Sequence, residues 1–161
     1  MRRLGGCRAG EIRITRFLRN PAVSLEEMVE TAAARTSRRV AGRHVLAIQD
    51  TTTVRAEAMG RCIALHLVIA VDAVEGTLLG LVDARFFLRH GSTAAARKTK
   101  AFSEKESRRW LEGAERAAGL AACGAACVTV VADRESDIYE DFAFRPAGTE
   151  VLPSPESIIP F

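Results

Sequence analysis

Two apolar runs constrain this chain more than anything else in it. Val45-Leu46-Ala47-Ile48 and Val128-Thr129-Val130-Val131-Ala132 are short and unbroken by charge, and an aspartate follows each closely, Asp50 after the first and Asp133 after the second. Runs of this length without polar alternation read as buried strands, which belong in a sheet covered by helices. Each strand then delivers an aspartate to its carboxyl end, where ligand sites gather in α/β sheets.

The remaining segments fit that frame. Residues 63–71 and 77–82 are β-rich, and Val74-Glu75-Gly76 between them predicts a hairpin turn. Ser24 and Glu27 make a capping box ahead of Leu25, Met28, Val29, Ala32 and Ala33 at helical spacing, predicting a helix to about residue 38. Residues 1–19 show no clear period, and Asn20-Pro21 punctuates the chain, so a loop is expected before that helix. A surface loop is expected over 88–102. A second capping box at Ser103 and Glu106 opens a helix to about 118, with Trp110, Leu111, Ala114, Ala117 and Ala118 as its apolar stripe and Gly119 as its C-cap. A short helix over 135–143 and a fifth strand, Thr149-Glu150-Val151-Leu152, complete the series before Pro153 and Pro155. Three strands, a helix, a strand, a helix and a strand predict an α/β fold with a mixed sheet flanked by helices.

Charge is unevenly placed. Residues 1–43 hold ten arginines against four glutamates, net +6, although the whole chain is only +3. A basic segment joined to an acidic body suits a polyanion, and a solvated helix face gives the same count. No apolar run reaches the roughly 18 residues of a membrane span, and no signal core follows the basic start, so a cytoplasmic protein with no membrane partner is expected. The four cysteines include no CxxC pair and lie outside ligand spacing of the histidines; they are expected reduced, with Cys123 and Cys127 as small core residues. His66, inside an apolar strand run, is assigned to the core.

If the first and fourth strands are neighbours, Asp50 and Asp133 emerge side by side, and two like charges that close are tolerable mainly with a divalent cation between them. Oxygen ligands of this kind suit Mg²⁺ or Mn²⁺. The plainer roles are a strand-end turn for Asp50 and a helix N-cap for Asp133.

Several segments, in order, carry a resemblance. Gln49-Asp50-Thr51-Thr52 resembles the DTT motif of the DDE transposases of the bacterial insertion-sequence four group. Asp133-Arg134-Glu135-Ser136-Asp137-Ile138-Tyr139 resembles their DREADI signature. Ser103-Glu104-Lys105-Glu106-Ser107-Arg108-Arg109-Trp110 is similar to an EKES-x-x-W segment, and Arg16-Phe17-Leu18-Arg19-Asn20-Pro21 to an RF-x-RNP stretch.

The resemblance implies a ribonuclease-H-like core with the first aspartate on strand one and the second just after strand four. In that family two aspartates and a downstream glutamate hold two Mg²⁺ ions for DNA cleavage and strand transfer. It makes Asp50 and Asp133 the catalytic and metal-holding carboxylates, and Arg16, Arg19 and Asn20 the DNA-binding candidates. It also implies transposon-end and target DNA as partners.

This sequence departs from the family downstream. The family's glutamate stands in a Y-x-x-R-x-x-x-E-x-x-x-K helix, and none of Glu135, Glu140, Glu150 or Glu156 has that context. The expected division is therefore a basic segment over 1–43, a ribonuclease-H-like core over 44–152 incomplete at its C-terminal end, and an aberrant tail over 153–161. The expected function is that of a transposase fragment, catalytically incomplete. The alternative is a non-catalytic fragment that occupies DNA or pairs with full-length transposase, as a heterodimer or with itself as a homodimer.

Overall fold

A computed structural model of the chain describes residues 6–56, 61–90, 108–132 and 146–152. Two helices, α1 (Arg8–Leu18) and α2 (Leu25–Ser37), precede three long strands, β1 (His44–Ala56), β2 (Arg61–Asp72) and β3 (Leu78–His90). Helix α3 (Arg108–Ala122) then leads to β4 (Cys127–Val131) and β5 (Thr149–Leu152). The strands form one sheet in the order β3-β2-β1-β4-β5. The first three pair antiparallel, β4 joins β1 in parallel, and β5 joins β4 in parallel. This is the expected α/β architecture, a mixed sheet with helices against it.

Burial alternates along β1 and β2, whereas β4 is buried at Val128, Thr129 and Val130 in a row. Val45, Ala47, Val68, Ala70, Val128 and Val130 are buried with Ala114, Ala117 and Leu120 of α3, so this helix covers one face of the sheet. Leu46 and Ile48, pointing the other way, are only half-buried. Trp110 sits fully buried at the start of α3, where its ring closes the core.

Helix α2 starts as expected: Ser24 Oγ accepts the N–H of Glu27 at 3.1 Å, filling one of the four donors a helix start leaves open. Its far end covers an edge of the sheet. Thr36 Oγ1 donates to the Leu81 carbonyl at 2.6 Å and Arg39 to the Leu79 carbonyl at 2.8 Å, so outward-facing groups of edge strand β3 find partners. The approach needs Gly80, whose φ is +145° and where a Cβ would collide with Thr36 Oγ1. The hairpin turn is fixed by Asp72, whose Oδ1 accepts the N–H groups of Val74 and Glu75 while Arg43 holds the other oxygen.

Several expectations are corrected. Residues 8–18 are helical, not a loop; their period is blurred because arginines interleave the apolar positions and none of the helix's residues is fully buried. Strand β1 does not end at Asp50 but runs on to Ala56, since the β-branched Thr51-Thr52-Thr53-Val54 continues the ladder with β2. Strand β3 runs to His90, through the beginning of the expected loop. Helix α3 continues past Gly119 to Ala122, and the left-handed glycine after it is Gly124, φ +91°. Its stripe includes Gly113 and Leu120, whereas Leu111 and Ala118 are only half-buried. Cys123 is exposed beyond that helix and Cys127 is half-buried at the start of β4, so they form no core pair; all four cysteines are free. The expected capping box at 103 and 106, the helix over 135–143 and the tail over 153–161 lie outside the described residues.

Candidate functional site

Among the described residues, strands β1 and β4 run side by side from the His44–Cys127 pair to the Ile48–Val131 pair. Beyond Ile48, β1 keeps its ladder with β2, and Asp50 pairs with Leu67 there. Asp50 is exposed on the face opposite α3, and its Oδ1 accepts the N–H of Thr51 at 2.7 Å. Asp133 lies outside the described residues, as do Glu135 and Glu140. Glu150 is exposed on β5, level with Thr129 and hence with Leu46, not with Asp50. Among the described residues no group of three His, Cys, Asp or Glu is placed to hold a metal ion.

The residues flanking Asp50 point to the α3 face and enter a buried polar chain. His66, paired with Thr51 across the ladder, has both ring nitrogens engaged: Nδ1 lies 2.9 Å from Thr51 Oγ1 and Nε2 lies 3.2 Å from Gln49 Oε1. Arg109 Nε donates to the same Thr51 oxygen at 3.1 Å. The Gln49 carbonyl oxygen can only accept, so the neutral ring presents its one proton there and the whole chain acquires a direction. Thr51 Oγ1 accepts from Arg109 and gives its own proton to His66 Nδ1, which leaves the ring proton on Nε2, aimed at the Gln49 carbonyl oxygen. Burial, followed by the nearby Arg109 charge, pushes His66 down to about 4, so the ring is neutral at pH 7. Gly113 makes room for the amide, since a Cβ on that turn of α3 would strike Gln49 Oε1.

Aromatic and charged groups close the cluster. Trp110 meets His66 edge to face, with ring centroids 4.7 Å apart, and its indole N–H finds no hydrogen-bond partner among the described residues. The Arg109 guanidinium carbon lies 5.5 Å from the Phe87 ring centre and 5.2 Å from that of Trp110. Arg85 of β3 pairs with Asp83 at 3.1 Å and with Glu112 of α3, which also takes Arg108 at 2.9 Å. Assigning His66 to the core is right as to burial, yet its partners escaped the sequence reading because they depend on the β1–β2 register. The usable signal was its alternation with Ala64, Val68 and Ala70 on one strand face.

Arg16 lies in the last turn of α1, Arg19 caps it, and Asn20 follows. With Arg8 and Arg13 these arginines occupy one arc of roughly 140° on the helix, taken at about 100° per residue, and all four are exposed. Asn20 has a structural duty as well, because its Oδ1 accepts the Ala22 N–H at 3.0 Å and shapes the turn at Pro21. On the other side of α1, Phe17 lines a groove of about 560 Å³ with Met28 and Ala32 of α2 and Leu81 of β3. No helix among the described residues is long and apolar enough to cross a membrane.

No protein-family model matches the chain, and no curated protein matches it.

Proposed function

We propose that the chain carries the ribonuclease-H-like core of a DDE transposase of the insertion-sequence four group, with Asp50 and Asp133 as two of its metal-holding carboxylates and DNA as its partner. One observation carries the reading: β1 and β4 are adjacent and parallel, and Ile48 stands opposite Val131. Each of those residues precedes one of the two aspartates by two positions. That adjacency is what a shared carboxylate site asks of strands one and four.

Mg²⁺ or Mn²⁺ is the ion this reading calls for, and Asp50 offers it an exposed carboxylate beyond the described β4 ladder. Asp50 and Asp133 would hold the ion. When bound, such an ion stabilises charge on phosphate oxygens and lowers the pKa of coordinated water. The chain's own contribution to DNA binding is the arginine face of α1, where Arg16 and Arg19, with Arg8 and Arg13, neutralise phosphates and release counterions. Asn20 keeps its amide N–H groups for a DNA oxygen while its carbonyl holds the turn. The cytoplasm is the compartment this reading implies, and transposase subunits are its protein partners.

A second reading is favoured by the same arginine face. In it the chain binds DNA, or pairs with full-length transposase, without turning over. The test common to both is duplex DNA binding by the 161-residue chain over a salt series. Affinity should fall steeply with salt and the slope should shrink when Arg16 and Arg19 are both changed to Ala. No binding at low salt would sink both readings.

A further inference from the structure

We infer that His66 and Arg109 are positioning residues for Asp50, fixing through Gln49 and Thr51 the part of β1 that extends beyond its β4 neighbour. This inference rests on Asp50 being a metal ligand. Among the described residues, β1 from Gln49 onward has a ladder on the β2 side only. A strand held on one side bends and twists more freely than one held on both, so the segment carrying Asp50 needs another restraint. The restraint comes from side chains. Gln49 and Thr51, one on each side of Asp50, reach opposite nitrogens of a single imidazole. Arg109 then ties Thr51 to α3.

The arrangement is rigid for identifiable reasons. His66 is 1% exposed and Gln49 3%, so water does not compete for these bonds. The direction of the protons is set from the Gln49 end, where a carbonyl oxygen can only accept, which leaves the chain one consistent pattern instead of two. Trp110 packs against the ring edge to face, and α3 leaves a glycine where Gln49 needs space. Asp50 itself points to the other face, exposed, so its neighbours can be clamped without burying the carboxylate.

The test uses the full chain and two readouts. Thr51→Val keeps the β-branched shape and removes the hydroxyl; Thr51→Ser keeps the hydroxyl; His66→Phe keeps a ring and is a second break in the chain. By amide hydrogen exchange, Thr51→Val should exchange about tenfold faster at residues 49–53 with Val45, Ala47 and Val130 unchanged, and Thr51→Ser should match the original. If Thr51→Val does not fold, His66→Phe provides the same comparison. Unchanged exchange at 49–53, or an equal rise throughout the sheet, would overturn the inference.

The second readout is Mn²⁺ binding followed by the electron spin resonance of the free ion. Affinity should be lost in Asp50→Asn, fall about tenfold in Thr51→Val and recover in Thr51→Ser. Mn²⁺ binding that depends on Asp50 but is the same in Thr51→Val would overturn the positioning role and leave the metal reading intact. If Asp50→Asn changes nothing, the metal reading falls and with it the purpose assigned to the clamp, while localised exchange would still establish the clamp itself.

Discussion

Thr51 and His66 face each other across the β1–β2 ladder with the hydroxyl 2.9 Å from the ring Nδ1. Because the Gln49 carbonyl oxygen takes the one proton of the neutral ring at Nε2, His66 Nδ1 accepts, and Thr51 donates to it while accepting from Arg109. Protonating His66 would turn Nδ1 into a donor, make the Thr51 hydroxyl rotate away and place a second cation near Arg109. The buried ring is therefore held neutral by lack of water and by the neighbouring Arg109 charge.

The pH dependence follows. His66 titrates at about 4 in the fold against an ordinary 6.5, a lowered value, so its contribution is fully present above about 6.5 and is lost as pH falls toward 4. The shift corresponds to at most about 3 kcal/mol. Urea midpoints should fall between pH 7 and pH 4.5, and His66→Phe should flatten that slope. Asp72, held below the usual carboxylate range by Arg43, acts at still lower pH, so the flattening isolates the histidine.

Trp110 is the chain's only tryptophan and touches His66. Its fluorescence should titrate with the same low midpoint, because an imidazolium at ring contact perturbs the indole. A flat emission between pH 7 and 4 in a chain shown to be folded would contradict the neutral buried ring.

Gly80→Ala should lower stability by roughly 1–3 kcal/mol, since the left-handed backbone strains any side chain and the new Cβ meets Thr36. Thermal or urea unfolding measures it. Pairing the change with Thr36→Gly should recover only the steric part. Ser24→Ala should cost about 1 kcal/mol by removing the α2 cap.

The purified 161-residue chain should neither nick nor join DNA with Mg²⁺ or Mn²⁺, because two-metal chemistry needs both ions fixed about 3.5–4 Å apart and among the described residues no group of three His, Cys, Asp or Glu is placed to hold even one. Cleavage that vanishes in Asp133→Ala would show that another carboxylate completes the site.

How far the sequence could be read depended on whether a feature is local. Ser24 with Glu27, the turn at Glu75-Gly76 and the apolar run into β4 are fixed by neighbours a few residues away, and each is found where expected. Gly119 failed as a helix end because packing of Leu120 against the core outweighed one unfavourable residue in the helix. Thr51-Thr52-Thr53 was read as a stop, although β-branched residues favour a strand. The links from His66 to Gln49 and Arg109 span 17 and 43 positions, so they became visible only with strand register and helix placement in hand.

Among the described residues, the shield that α2 provides for β3 reaches Leu79 and Leu81, while the strand itself goes on to His90. Past that point Phe86 and Leu88 stand 46% and 55% exposed on a sheet margin. Such a margin invites another chain to align with it, and Arg85, tied up with Asp83 and Glu112, is a weak deterrent. Concentrated solutions of this protein should therefore cloud from the far half of β3, and a lysine at Leu88 should keep them clear.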